Sequence, residues 1–255
     1  MQLIFSIEGE VLKNQYKHRK IFIFLMIVAL IVILGVAVIA KLICPNKIIA
    51  QLYPIKGIDV SHHQNTIEWE KIPKQEIDFA FIKATEGSGH VDENFLLNWR
   101  GAKENNILAG AYHFFSFDSS GKSQAELFIN TVGILSGKLR PVVDVEFYAD
   151  KEINQPKKES VQYELTEYLQ LIEEEYSVKP IIYTTYKVYE LYLKESFEQY
   201  PLWIRNVYFP PYDKKWKFWQ YSDRGEMEGI GNKKIYVDLN VFQGNVQALQ
   251  QFIVP

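Results

Sequence analysis

The chain has 255 residues, a formal net charge of −3, 47% hydrophobic residues and 15% aromatic residues. A mildly acidic balance without a basic block lacks the electrostatic footprint of a nucleic-acid-binding protein, and the single cysteine, Cys44, excludes an intramolecular disulfide. The length admits one large domain or two small ones, with enough chain to build a core that holds without crosslinks.

Residues 1–20 are mixed and polar and end in the basic run Lys17-His18-Arg19-Lys20. Residues 21–40 then run for 20 positions without a charge or a proline. As a helix rising about 1.5 Å per residue, this stretch matches a bilayer core of about 30 Å. Basic residues crowd its N-terminal side, so the positive-inside rule puts 1–20 in the cytoplasm and the remaining chain outside the cell membrane. The expectation is an uncleaved transmembrane signal anchor over 21–40. The rival is a signal peptide cleaved after Val38-Ile39-Ala40, which would leave a secreted protein, but the apolar run is longer than the usual core of about 7–15 residues. Cys44 follows Lys41-Leu42-Ile43 and lacks the small residue expected before a lipidated cysteine. Residues 41–54 read as a linker, and 55–255 as one globular domain.

That domain alternates strand and helix signals. Strands are predicted over 55–60, 79–84, 108–115, 140–147, 180–184, 202–206, 217–221 and 235–240. Helices are predicted over 67–74, from an Asp92 cap to 105, and over 123–135, 160–175, 186–197 and 245–252. The helix over 160–175 carries an apolar stripe of Val161, Leu165, Tyr168, Leu169 and Ile172. Eight strands, the first five linked by helices, predict an α/β fold: a degenerate TIM-like β/α barrel, about (β/α)5(β)3, preceded by one transmembrane helix. A doubly wound open sheet is the alternative; against it, no Gly-rich phosphate turn follows the first strand.

The stretch Arg140-Pro141-Val142-Val143-Asp144-Val145-Glu146-Phe147 reads as a buried strand with two carboxylates near its exit. Strand side chains alternate, so Asp144 and Glu146 share a face, with Cα atoms about 6.6 Å apart, while Val143, Val145 and Phe147 point the other way. Close carboxylates push their pKa values apart, which suits one to act as a general acid. Taken alone, the pair is equally a structural one bonded to loop amides and arginines. In a β/α barrel, however, the site forms at the C-terminal strand ends, and Asp59 and Asp238 fall there as well. The first and eighth strands are neighbours in a closed barrel, so Asp59 and Asp238 should lie side by side, with the fourth strand across the mouth. Four acids facing one pocket point to glycosidase chemistry, in which one acid protonates the leaving oxygen and another stabilises or attacks the sugar.

Other residues take expected places around these acids. Trp203 and Trp219, at strand ends, are read as sugar-stacking faces, and Trp69, Trp99 and Trp216 as packing or surface residues. Tyr112, Tyr183 and Tyr221 are read as hydroxyl donors to a sugar, with Gln220 in the same set. His62 and His63 are placed at the cleft edge or in bonds to acids. Lys83 is expected either to pair with Glu86 or to hold a cleft carboxylate ionised. His113 reads as a hydrogen-bonded core histidine. No metal is expected at His62-His63, because adjacent residues rarely point at one ion and no Cys or third His lies at ligand spacing.

The series Gly57-Ile58-Asp59-Val60-Ser61-His62-His63-Gln64, Phe81-Ile82-Lys83-Ala84-Thr85-Glu86-Gly87, Gly110-Ala111-Tyr112-His113-Phe114, Val143-Asp144-Val145-Glu146, Trp203-Ile204, Trp219-Gln220-Tyr221 and Val237-Asp238-Leu239-Asn240 resembles the motif order of glycoside hydrolase family 25. These are lysozymes that cut bacterial peptidoglycan, and the resemblance covers roughly residues 55–243. It implies a β-1,4-N-acetylmuramidase acting between N-acetylmuramic acid and N-acetylglucosamine, with no cofactor. It implies Glu146 as the general acid, with Asp59, Asp144 and Asp238 completing the acidic cleft. Two routes stay open: an assisted one in which Asp144 orients the substrate's acetamido group, and an inverting one in which Asp59 or Asp144 activates water. Phe114 and Phe115, Asn65, and Arg205-Asn206 depart from the pattern. The alternatives are a catalytically weak peptidoglycan-binding or scaffold domain of an envelope-spanning assembly, and a glycosidase for chitin or another N-acetylhexosamine polymer.

Overall fold

The computed structural model describes residues 17–35, 45–212, 215–231 and 235–255. It falls into two units, Met1–Pro45 and Asn46–Pro255. In the first, helix α1 (Lys17–Gly35) is long and apolar enough to cross a membrane, a description that fits a signal sequence as well as an anchor. The rest of the expected span, 36–40, lies outside the described residues, as do Cys44 and most of the expected cytoplasmic tail.

The stretch expected as a linker is ordered structure from Pro45 onward. Helix α2 (Pro45–Ala50) buries Asn46 and Ala50. Asn46 Nδ2 donates to the carbonyls of Asn206 (2.9 Å) and Tyr221 (3.2 Å), and Tyr53 meets Trp216 edge-on at 5.3 Å. A segment whose polar side chain satisfies buried backbone carbonyls belongs to the domain, not to a tether.

Strand β1 (Ile55–Val60) pairs in parallel with β2 (Phe79–Glu86), which ends in a small hairpin with β3 (His90–Val91). Strands β4 (Leu108–Phe114), β5 (Val142–Val145), β6 (Ile181–Thr185), β7 (Leu202–Arg205) and β8 (Trp216–Gly225) continue the parallel series from β2. Strand β9 (Val237–Phe242) closes the barrel between β8 and β1, giving eight strands around the ring. It runs antiparallel to both neighbours, so Asp238 does not lie at a C-terminal strand end as expected. The chain returns from β8 directly, and an antiparallel return requires no crossover helix. Asp238 therefore reaches the mouth from the start of its strand, whereas Asp59 and Asp144 reach it from near the ends of theirs.

Alternation sorts each strand between the barrel interior and the outer shell. Ile55, Phe79, Val142, Ile181, Phe218 and Phe242 fill the interior, with Phe81 stacked on Trp203 at 4.5 Å. Gly57 makes room for this filling, since a Cβ there would lie 2.3 Å from the Phe79 ring. The floor is sealed by the C-terminal segment. Phe252 packs 5.5 Å from both Phe218 and Phe242, and the Val254 and Phe252 carbonyls accept from the backbone of Gly137 and Arg140.

Outside, α3 (Phe95–Glu104), α4 (Gly121–Val132) and α5 (Lys158–Tyr176) cover the first half of the barrel. The predicted stripe of α5 is its buried face, with Tyr176 added. The expected helix over 186–197 shortens to α6 (Tyr186–Val188) and one π turn over 189–193, and the helix over 67–74 resolves into two 3₁₀ turns. Helix α7 (Val246–Gln250) ends the set.

Candidate active site

The cavity at the mouth is lined by Asp59, Ser61, His63, Lys83, Tyr112, Phe114, Asp144, Glu146, Tyr183, Trp203, Gln220 and Asp238. Parity along each strand accounts for the choice. Asp59 follows Ile55 and Gly57 on the inner face of β1, Asp144 follows Val142 on β5, and Asp238 precedes Asn240 and Phe242 on β9. Val143 and Val145 pack outward with Phe147, so the carboxylates of β5 turn inward. Asp59 and Asp238 are direct register partners across β1 and β9.

Asp59 is the hub. Its Oδ2 accepts from Gln220 Nε2 at 2.9 Å and from Asn240 Nδ2 at 2.7 Å. Gln220 Oε1 in turn accepts from the Tyr183 hydroxyl at 3.0 Å, and Asn240 Oδ1 from Trp203 Nε1 at 2.9 Å. Four neighbouring strands thus hold one carboxylate. Burial raises the Asp59 pKa, and the two amides oppose that rise by favouring the charged form. Asp238 lacks these donors; burial first, and then Asp59, push it up to about 9. The hydrogen bond between the two carboxyls favours the charged form of Asp59 and the neutral form of Asp238.

Across the mouth, burial and then the Glu146 and Asp59 charges raise Asp144 well above the usual carboxylate range. Its Oδ1 is buried with no hydrogen-bond partner among the described residues. A buried acceptor left unpaired costs about 1–3 kcal/mol unless a ligand or water completes it. Glu146 is also raised, first by burial and then by Asp59, against the opposing charges of Arg205 and Lys83. Lys83 pairs with Glu86, its Nζ 2.6 Å from Oε2, and its charge opposes the rise of Asp144 and Glu146 without reversing it. Arg205 Nη2 lies 2.9 Å from Asp223 Oδ2.

Two expected substrate contacts lie elsewhere. Trp219 and Tyr221 flank the inward Gln220, so both point away from the cavity. Trp219 is fully buried in the outer shell, donating Nε1 to the Asn206 carbonyl at 3.0 Å, and Tyr221 packs on it at 5.7 Å. Trp203 does point inward, but it is only 2% exposed and wedged between Phe81 and Tyr183. It forms a pillar under the cavity with no open ring face. His113 is buried on the outer side, between Thr85 Oγ1 (2.7 Å) and Gln124 Oε1 (3.0 Å), and burial lowers its pKa to about 4. Asp92 does not cap α3 as expected. Its buried carboxylate receives the His62 ring and backbone instead, and Asn94 stands at the cap position. Ser61, Phe114 and Asn240 belong to the site without having been assigned to it; Asn240 shares its strand face with Asp238, a signal readable from the sequence.

The raised Asp238 predicts a pH-dependent stability difference. A carboxyl whose folded pKa lies above its unfolded value contributes stability that is complete below about 3.8 and is lost as pH rises through about 9. Asp238→Asn, which needs no proton, should therefore melt above wild type near pH 9 and level with it near pH 4. Equal differences at both pH values would mean that Asp238 is not the protonated partner.

Comparisons with known proteins place this geometry. The profile of glycosyl hydrolases family 25 matches residues 58–230. Lysozyme M1 of Streptomyces globisporus is 30% identical over 211 residues, 76% of this chain and 70% of that protein. The uncharacterized protein YegX of Escherichia coli (strain K12) is 39% identical over 209 residues, 79% of this chain and 74% of that protein. Among solved structures, a family 25 glycosyl hydrolase from Bacillus anthracis superposes with a TM-score of 0.75 at 47% identity, covering 78% of this chain and 94% of that one.

Proposed function

The chain belongs to glycosyl hydrolase family 25 and is a glycoside hydrolase of the lysozyme type; from that premise we propose that it hydrolyses the β-1,4 bond between N-acetylmuramic acid and N-acetylglucosamine, with Glu146 as general acid. The observation that carries this reading is the raised carboxyl of Glu146 beside the unpartnered Oδ1 of Asp144, facing the Asp59–Asp238 pair. Glu146 holds a proton above the ordinary glutamate range and gives it to the glycosidic oxygen as the bond breaks. The Asp59 charge, fixed by two amides, opposes the positive charge that develops on the sugar ring.

Asp144 Oδ1 faces the cavity as a buried acceptor, which suits the N–H of a substrate acetamido group. Asp59 Oδ2 is already filled by two donors and is a poor oxygen for taking a proton from water. Both points favour the assisted route over water activation by Asp59. The test is mass analysis of the fragments released from purified peptidoglycan. Fragments ending in reducing N-acetylmuramic acid are expected; reducing N-acetylglucosamine ends, or no glycan cleavage, would remove the reading.

We further read α1 as part of an uncleaved anchor over 21–40 that leaves residues 55–255 outside the membrane. Basic residues on its N-terminal side support this orientation. N-terminal sequencing of membrane-extracted protein should recover residues before Ile21. Protein in the medium beginning at Lys41 would instead identify a cleaved signal.

A further inference from the structure

Beside the cleft, the turn after β1 and the hairpin at the end of β2 bring together side chains that the catalytic reading does not use. His62 lies in the 3₁₀ turn His62–Gln64, His90 in β3, and Glu93 just ahead of α3. One donor atom from each lies within 4.8 Å of the others. His62 and His90 are far apart along the chain, and only the β2–β3 hairpin brings them close. Their rings meet edge-on with centroids 6.1 Å apart.

A second observation concerns how His62 is held. Its Nδ1 lies 2.8 Å from Asp92 Oδ2, and its backbone N–H donates to the same oxygen at 3.0 Å. Asp92 Oδ1 accepts from the Asn94 backbone at 3.0 Å, and the Asp92 side chain is wholly buried. A carboxylate that receives three donors acts as an acceptor, so His62 Nδ1 carries the hydrogen and Nε2 keeps its lone pair. An imidazole fixed through one nitrogen by a buried carboxylate, with the other nitrogen free to ligate, is the arrangement found behind metal-bound histidines.

We propose that His62, His90 and Glu93 form a site for a zinc-like transition-metal dication, with Asp92 orienting His62. Two imidazoles and one carboxylate are borderline donors that suit Zn²⁺ and its neighbours, whereas Ca²⁺ and Mg²⁺ prefer all-oxygen shells. Metal–ligand bonds of about 2.0–2.1 Å put tetrahedral donors about 3.4 Å apart. Glu93 Oε2 lies 4.0 Å from Nδ1, the nitrogen that Asp92 holds, so the exposed Glu93 side chain turns toward Nε2 and exposed His90 closes on it from within 4.8 Å, while His62 stays in place. Ordering two exposed side chains costs entropy, so affinity belongs in the micromolar range. Three protein ligands leave one position for water. The bound ion would tie the β3 hairpin to the β1 turn beside His63, whose ring packs 4.0 Å from His62 and which lines the cleft.

The experiment uses untagged full-length protein in detergent, stripped with a chelator and titrated calorimetrically with zinc sulfate. One ion per chain is expected, with a melting temperature about 5–10 °C higher at 100-fold excess over Kd. His90→Ala and Glu93→Gln should each weaken binding at least tenfold and abolish most of the melting shift, with apo stability and muramidase rate unchanged. Calcium chloride should give no saturable heat. The proposal is overturned if wild type binds no zinc, if both variants bind as wild type does, or if calcium binds equally well. Because both substitutions are at exposed side chains, a folding defect in one leaves the other to decide.

Discussion

Glu146→Gln is expected to lower muramidase turnover about 10²–10⁴-fold while the protein folds and melts much as wild type does. Glutamine keeps the shape and the hydrogen-bonding capacity of the side chain but has no proton to release. Burial raises the Glu146 pKa, and the Asp59 charge adds to it, so the wild-type rate should fall as pH rises through that pKa. The residual rate of the variant should lack this limb. Stability should change little, because a neutral amide replaces a group that already favours its neutral form in this surrounding. The measurement is the rate on purified walls across pH, beside thermal melts. A folded variant with a near wild-type rate would sink the assignment of the general acid.

Trp203→Ala should carry the second large effect, on stability. Removing a buried tryptophan costs about 3–5 kcal/mol, or roughly 6–20 °C in melting temperature for a domain of this size. The ring is stacked 4.5 Å from Phe81 and meets Tyr183 edge-on at 4.6 Å. Its N–H also orients the amide of Asn240, which holds Asp59. Trp203→Phe separates the two contributions, keeping most of the packing and losing the hydrogen bond at about 1 kcal/mol. If Trp203 were a platform for a sugar ring, either variant would raise KM and leave the melt nearly untouched. Loss of stability with a lowered kcat is the result expected of a pillar.

The inner face of β5 was legible in the sequence because alternation admits only one partition once Val143, Val145 and Phe147 are assigned to the shell. The pairing of Asp59 with Asp238 followed from barrel closure, which makes the first and last strands neighbours whichever way the last one runs. Its direction was not legible, since a period of two looks the same read from either end. For Trp219 and Tyr221 a place at a strand end is not enough, because parity decides: Gln220 between them faces in, so they face out. Residues 45–54 read as a linker because a six-residue helix carries too little periodicity to announce itself. What ties that helix down is Asn46 bonding to carbonyls far along the chain. The approach of His90 to His62 depends on a two-residue strand, below the length at which any pattern exists.

The antiparallel last strand has a kinetic consequence. Asp59 is gripped by Asn240 across 181 positions of chain, and the floor beneath them closes through Phe252 and Val254. The length-dependent entropy of bringing such distant segments together is about 4–5 kcal/mol. Contacts of this span slow folding and are made late. A chain emerging N-terminus first can assemble β1, β2 and β4 against their helices while its acids remain apart. The pocket is therefore complete only with the final strand, which brings Asn240 and Asp238 to Asp59.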